Sequence, residues 1–166
     1  MKRGLAAMTA VGLLAAGCGS QVPGAPAVAD ASRVDMCTIL TDAELTALGI
    51  RLDTRKQDDV VGVVGCGWVG KPFTLSLGRD KDNLVAYQAR RNDPAFVSFE
   101  ENRVNGRAGV QLGVRRDRSQ CAQFMDGGPV ALVVSVAASS SLGPPIDPCA
   151  EALRIAQMIE PRLPKA

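Results

Sequence analysis

Histidine is missing from all 166 residues. Its absence removes Ser-His-Asp and Cys-His catalysis and every His-ligated metal centre. Aromatic residues are scarce as well. Trp68, Tyr87, Phe73, Phe96, Phe99 and Phe124 make up only 4% of the chain. So few rings argue against a stacking platform for sugars or single-stranded nucleic acid, which takes several exposed rings, and they leave the core to Val, Leu, Ile and Ala. No two cysteines form a C-x-x-C pair, so the usual spacings of a structural zinc site and of a dithiol redox site are both lacking. No metal or cofactor is expected. A basic excess is lacking too. The formal charge is +2, from 19 Lys+Arg against 17 Asp+Glu. Lys2 and Arg3 account for that difference and sit in a segment that reads as a removable leader. Without them the charges balance, and nothing global favours nucleic acid.

That leader is the first feature present. Met1-Lys2-Arg3 is a short basic start, and residues 4–16 are apolar or small apart from Thr9. The stretch is shorter than the roughly 20 residues a spanning helix needs and matches a secretory signal. It runs into Leu14-Ala15-Ala16-Gly17-Cys18, which resembles a bacterial lipobox, although Leu sits one place further from the cysteine than in the commonest pattern. The expectation is a signal peptide over 1–17 and a diacylated Cys18 that anchors the chain on the outer face of a cell membrane. Residues 18–32, rich in Gly, Pro, Ala and Ser, read as a flexible tether. Residues 33–166 then form one globular domain, in keeping with the length.

Within that domain the punctuation is local. Thr41 and Glu44 form a capping box, with Leu45 and Leu48 as an apolar side and Gly49 as the stop. Residues 60–69 and 73–77 read as strands, the second by its alternation. Residues 83–91 read as a helix that presents Leu84, Tyr87 and Gln88. Asn105-Gly106 is a two-residue turn between strands at 96–104 and 108–114. A second hairpin turns at Asp126-Gly-Gly-Pro129, between 121–125 and 130–137. Asp147 caps a last helix with Pro148 at its first position, and Pro161 stops it. Tight hairpins among helices indicate an α+β domain: a mostly antiparallel sheet with helices packed on one face.

With Cys18 assigned to lipid, Cys37, Cys66, Cys121 and Cys149 remain. An even number in an exported chain implies two disulfides. Of three pairings, Cys37–Cys66 and Cys121–Cys149 close loops of similar length, and each joins a helix start to a strand.

Several motifs invite chemistry. Gly65-Cys-Gly67-Trp-Val-Gly70 spells G-x-G-x-x-G, but a dinucleotide site needs a helix to follow, and here Lys71-Pro72 and a strand follow. The glycines are better read as letting the chain turn around a disulfide and a packed Trp68. Arg103, Arg107, Arg115, Arg116 and Arg118 form the densest basic cluster and are candidates for contact with an anionic partner, although strand alternation scatters them over both faces. Ser139-Ser-Ser141 lacks a neighbouring base and reads as a loop. Asp58-Asp59, in a polar turn, and Glu100-Glu101 are the acids that an enzyme would need to bring together in a cleft.

Taken in order, the lipobox, Cys37-Thr-Ile-Leu-Thr-Asp-Ala-Glu-Leu45, Cys66-Gly-Trp68, Val104-Asn-Gly-Arg-Ala-Gly109, Cys121 and Asp147-Pro-Cys149 resemble an uncharacterised family of actinobacterial envelope lipoproteins of the mycobacterial Lpp/Lpr type. The resemblance covers nearly the whole mature chain and implies location and fold, with no catalytic residues to carry over. The cysteine layout is also similar to extracellular sensor domains of some actinobacterial kinases, an analogy that suggests ligand or partner binding. The function expected is a non-enzymatic binding module, anchored through Cys18, that meets an envelope lipid, wall polymer or envelope protein. The alternative is a carboxylate-dependent enzyme acting on wall polymers.

Overall fold

The computed structural model describes residues 30–60, 62–113, 118–138 and 145–165. Cys18, the leader and most of the tether lie outside these residues, as do Arg115, Arg116 and Ser139 to Ser141. Seven strands form one antiparallel sheet: β1 (Lys56–Val60), β2 (Val63–Val69), β3 (Phe73–Asp80), β4 (Ser98–Val104), β5 (Arg107–Gly113), β6 (Gln120–Asp126) and β7 (Ala131–Ala138). Their spatial order is β1-β2-β3-β7-β6-β5-β4. The chain lays down β1 to β3 as a meander and crosses to the far edge. It then returns through β4, β5 and β6 until β7 pairs with β3, Leu77 opposite Val134. This is the expected α+β architecture.

Alternation along the strands gives the sheet two different faces. Trp68 on β2, Leu75 and Leu77 on β3, and Val134 and Val136 on β7 all point to one face, where they form the main core. Helix α3 (Pro148–Ile159) covers it with Ala152, Ile155, Ala156 and Ile159. The short α1 (Asp42–Ala47) adds Leu45 and Leu48 to the same layer. Helix α2 (Leu84–Ala89) lies within the crossover and packs on the opposite face, so the helices do not all share one face as expected. Its Leu84 and Tyr87 meet Val110, Leu112, Phe124 and Val133. Helical spacing alone tells which side of α2 is apolar, but it leaves open which face of the sheet receives it.

Local signals explain most boundaries. The Thr41 hydroxyl accepts from the Glu44 N–H, and the Glu44 carboxylate accepts from the Thr41 N–H at 2.8 Å, closing the capping box. Gly49 follows at φ +77°, where a Cβ would stand 2.2 Å from the Lys71 carbonyl oxygen. The β4–β5 turn has positive φ at both Asn105 and Gly106, the geometry Asn-Gly favours. Asp147 accepts from the N–H groups of Cys149 and Ala150. The acids of β1 also depart from expectation. Asp58 and Asp59 belong to β1, paired with Gly65 and Val64, and not to a turn. Strand β1 is an edge strand, where charged residues are tolerated because one side of the ladder faces solvent.

The disulfides pair Cys37 with Cys66 and Cys121 with Cys149, across sequence separations of 29 and 28. The first ties the segment before α1 to β2. The second pins the start of α3 to β6. Beneath α3, Gln123 is fully buried and exchanges hydrogen bonds with Asn102 at 2.8 and 2.9 Å. Gln111 donates to the Cys149 carbonyl at 2.9 Å. Burial of these amides therefore leaves no polar side-chain atom orphaned among the described residues.

Candidate functional site

Among the described residues, α2 covers only part of the face on which it packs. Residues directly opposite in the ladder share a face, so Gly65 lies beside Gly78, Gly78 beside Val133, Ser76 beside Ser135, and Ser135 beside Ala122. These small residues form the floor of a slot of about 270 Å³ that crosses β2, β3, β7 and β6. Three strand spacings make it roughly 14 Å long. Val63 and Val133 flank it, and Gln120 lines the end by the start of β6. The Gln120 amide donates to the Ser135 hydroxyl at 3.2 Å. Among the described residues, no titratable side chain lines the slot.

Its neighbour on the same face is the α2 cluster. Tyr87 stacks on Phe124 with ring centroids 4.1 Å apart. The Tyr87 hydroxyl donates to the buried Asp80 carboxylate. Desolvation first, and that hydrogen bond second, push the phenol well above its usual range. Arg90 lies over the Tyr87 ring and pairs with Asp82 at 3.0 Å. Ala122 and Val133 belong to both assemblies, so the α2 cluster forms one wall of the slot.

The glycines have two separate reasons. A Cβ at Gly65 would stand 2.0 Å from the Leu77 carbonyl oxygen, so glycine there is dictated by the close approach of β2 and β3. A Cβ at Gly78 would meet the Val63 side chain at 2.5 Å, so that glycine lets Val63 lie over the floor. Only Ser76, Ser135 and Ala122 are small without such a backbone reason. The G-x-G-x-x-G run is thus part of strand β2 and of the bridge between Gly70 and Ile50. It is neither a phosphate loop nor a turn around Trp68, which is buried from the other face.

The arginines do not form a single patch among the described residues. Arg103 and Arg107 leave the β4–β5 hairpin on opposite faces. Arg107 is committed internally: it pairs with Glu160 at 3.2 Å and donates to the carbonyls of Asp126 and Pro164 at 2.8 Å. Arg103 is exposed and donates to the Gly106 carbonyl. Arg118 is exposed beside Glu100 and Asp147 in a larger hollow of about 550 Å³ at the start of α3. The hairpin register sets Arg107 opposite Val104, the residue next to Arg103, and so places the two arginines on opposite faces.

The acids do not converge either. Asp59 is exposed on β1 and Glu100 and Glu101 are exposed on β4, at opposite edges of the sheet, roughly 29 Å apart by strand spacing. Glu101 is paired with Arg91. The Asp58 side chain lies outside the described ones. Among the described residues, no three His, Cys, Asp or Glu side chains are grouped to hold a metal ion. No helix among them is long and apolar enough to cross a membrane.

The slot missed by sequence reasoning had a signal. In β2 and β3 one face carries Cys66, Trp68, Phe73, Leu75 and Leu77, while the other carries Gly65, Gly67, Ser76 and Gly78. Small residues in the middle of that face, between Val63 and Val69 on β2 and between Thr74 and Asp80 on β3, mark the part that lies open among the described residues.

Among the described residues, fold and site define a disulfide-pinned α+β domain with its main core on one face of the sheet and, beside α2 on the other, a slot lined by no titratable side chain. The chain belongs to DUF3558, a family of proteins of unknown function, which it matches over residues 13–162. No curated protein and no solved structure shows a match.

Proposed function

We propose that this chain is an actinobacterial envelope lipoprotein whose domain binds a ligand without turning it over. Residues 1–17 are removed, Cys18 carries diacylglycerol and a further acyl chain such as palmitate, and the domain stands on the outer face of the cell membrane. Two or more chains give stable anchoring at about 0.8 kcal/mol per buried methylene. The leader ending in Leu14-Ala15-Ala16-Gly17-Cys18 supports the anchor. Two disulfides support an oxidising compartment. The observation that carries the binding role is the slot itself, small-floored and, among the described residues, lined by no titratable side chain. General acid–base chemistry needs such groups within hydrogen-bond reach of the substrate.

Intact mass under denaturing conditions tests the anchor. Protein extracted from its own envelope should lack residues 1–17 and carry the added mass of acyl chains. Cys18→Ser should abolish both changes. A chain cleaved elsewhere, or one without acyl mass, would contradict the anchored reading.

A further inference from the structure

We infer that Asn105, at the tip of the β4–β5 hairpin, is a site of spontaneous deamidation, and that its conversion to aspartate or isoaspartate uncaps the end of α3. The chemistry needs only water. The backbone nitrogen of Gly106 loses its proton and attacks the Asn105 Cγ. A C–N bond forms, the Cγ–Nδ2 bond breaks, and ammonia leaves with the proton. Water then opens the cyclic imide at either carbonyl, giving aspartate or isoaspartate with no change of oxidation state. Access to the attacking nitrogen decides where this happens, and a following glycine puts no Cβ in the way. The chain has four asparagines, Asn83, Asn92, Asn102 and Asn105, and Asn105 alone precedes a glycine. Asn83 is held as the cap of α2, where its side chain accepts from the Ala86 N–H. Asn102 is tied to buried Gln123. Asn92 is exposed but precedes Asp93, whose side chain hinders the attack. Asn105 and Gly106 are both exposed, and among the described residues a Cβ on Gly106 would find nothing within 4 Å. The turn is therefore open to the side-chain rotation that the attack requires. Arg103 donates to the Gly106 carbonyl at 2.8 Å, so a cation stands beside the nitrogen that must become anionic.

The same amide has a structural task. Helix α3 runs into Pro161, which has no N–H to offer the Gln157 carbonyl four residues before it. Asn105 supplies that donor: its Nδ2 donates to the Gln157 carbonyl at 2.9 Å. Deamidation exchanges the donor for a carboxylate, which then faces a carbonyl at the negative end of the helix dipole. Isoaspartate also adds a backbone methylene to a two-residue turn set by positive φ at Asn105 and Gly106. Either product loosens the hairpin from the helix that covers the main core.

The test incubates the full folded chain in warm, mildly alkaline buffer and maps its peptides by mass spectrometry over days. A gain of roughly one dalton should accumulate at Asn105 about tenfold or more faster than at Asn83, Asn92 or Asn102. Asn105→Gln, whose longer side chain cannot close the same ring, should show no gain at that peptide. Asn105→Asp stands for the product. Its urea midpoint, read on the buried Trp68, should lie roughly 0.5 M below wild type, the shift expected when one hydrogen bond is lost. Equal rates at all four asparagines would overturn the site. So would an Asn105 that stays intact in the folded chain while the urea-unfolded chain converts. An Asn105→Asp midpoint equal to wild type would overturn the uncapping of α3.

Discussion

Removing the Cys121–Cys149 bridge gives the clearest quantitative test of how this fold is held. The bond joins fully buried Cys121 on β6 to the first turn of α3, the helix that covers most of the main core. Cys121→Ala/Cys149→Ala deletes it without leaving a lone thiol. With a separation of 28 residues, the loop-entropy relation places the loss at about 3.6 kcal/mol. Native domains hold only about 5–15 kcal/mol in all, so the variant should still fold at 25 °C, with a much reduced margin. Trp68, 3% exposed, reports unfolding by fluorescence. With a urea slope of about 2 kcal/mol per molar, the midpoint should fall by roughly 1.8 M. The slope should also rise, because the unfolded chain loses a constraint and exposes more surface. A midpoint shift below about 0.5 M with an unchanged slope would refute the idea that this bridge acts by restricting the unfolded chain.

Other outcomes follow from single contacts. Gly49→Ala places a Cβ against the Lys71 carbonyl at positive φ and should cost about 2 kcal/mol or more by urea unfolding. Arg107→Met strands Glu160, whose side chain is only 12% exposed, and should cost about 3 kcal/mol. Arg103→Ala on the exposed side should stay within about 0.5 kcal/mol, and equal effects from the two would refute the separate roles given to them. Glu44 should leave a signature in acid. Its hydrogen bond from Arg162, then those from Thr41, lower its carboxyl from 4.5 to about 2. A depressed folded-state value means that the stabilisation is whole above pH 4.5 and is lost as pH falls toward 2. Glu44→Gln should therefore flatten the acid limb of a stability–pH curve between those values. A limb unchanged in Glu44→Gln would place the acid sensitivity elsewhere.

What the sequence revealed and what it concealed divide along physical lines. The Thr41–Glu44 box, the Asn105-Gly106 turn and the Asp147-Pro148 start all rest on hydrogen bonds or dihedral preferences within a few residues, so they are readable in order along the chain. The cysteine pairing was readable because each bridge joins elements whose starts were marked. Strand β1 was hidden because Lys56-Gln57-Asp58-Asp59 carries no hydrophobic alternation, and an edge strand does not require one. The placement of α2 was hidden because periodicity identifies an apolar side without naming the surface that receives it. The slot was hidden because its floor is assembled from single residues of four strands, whose adjacency depends on the β3–β7 pairing of residues far apart in sequence. Its mark, small residues opposite bulky ones in β2 and β3, looked like a weak glycine motif when read along one strand.

The domain is proposed to hold a ligand at the membrane surface. Native mass spectrometry of the lipoprotein, released gently from its own envelope and compared with its denatured mass, tests it directly. An added non-covalent mass that disappears on denaturation is the expected result. A native mass equal to that of the bare acylated chain would contradict it.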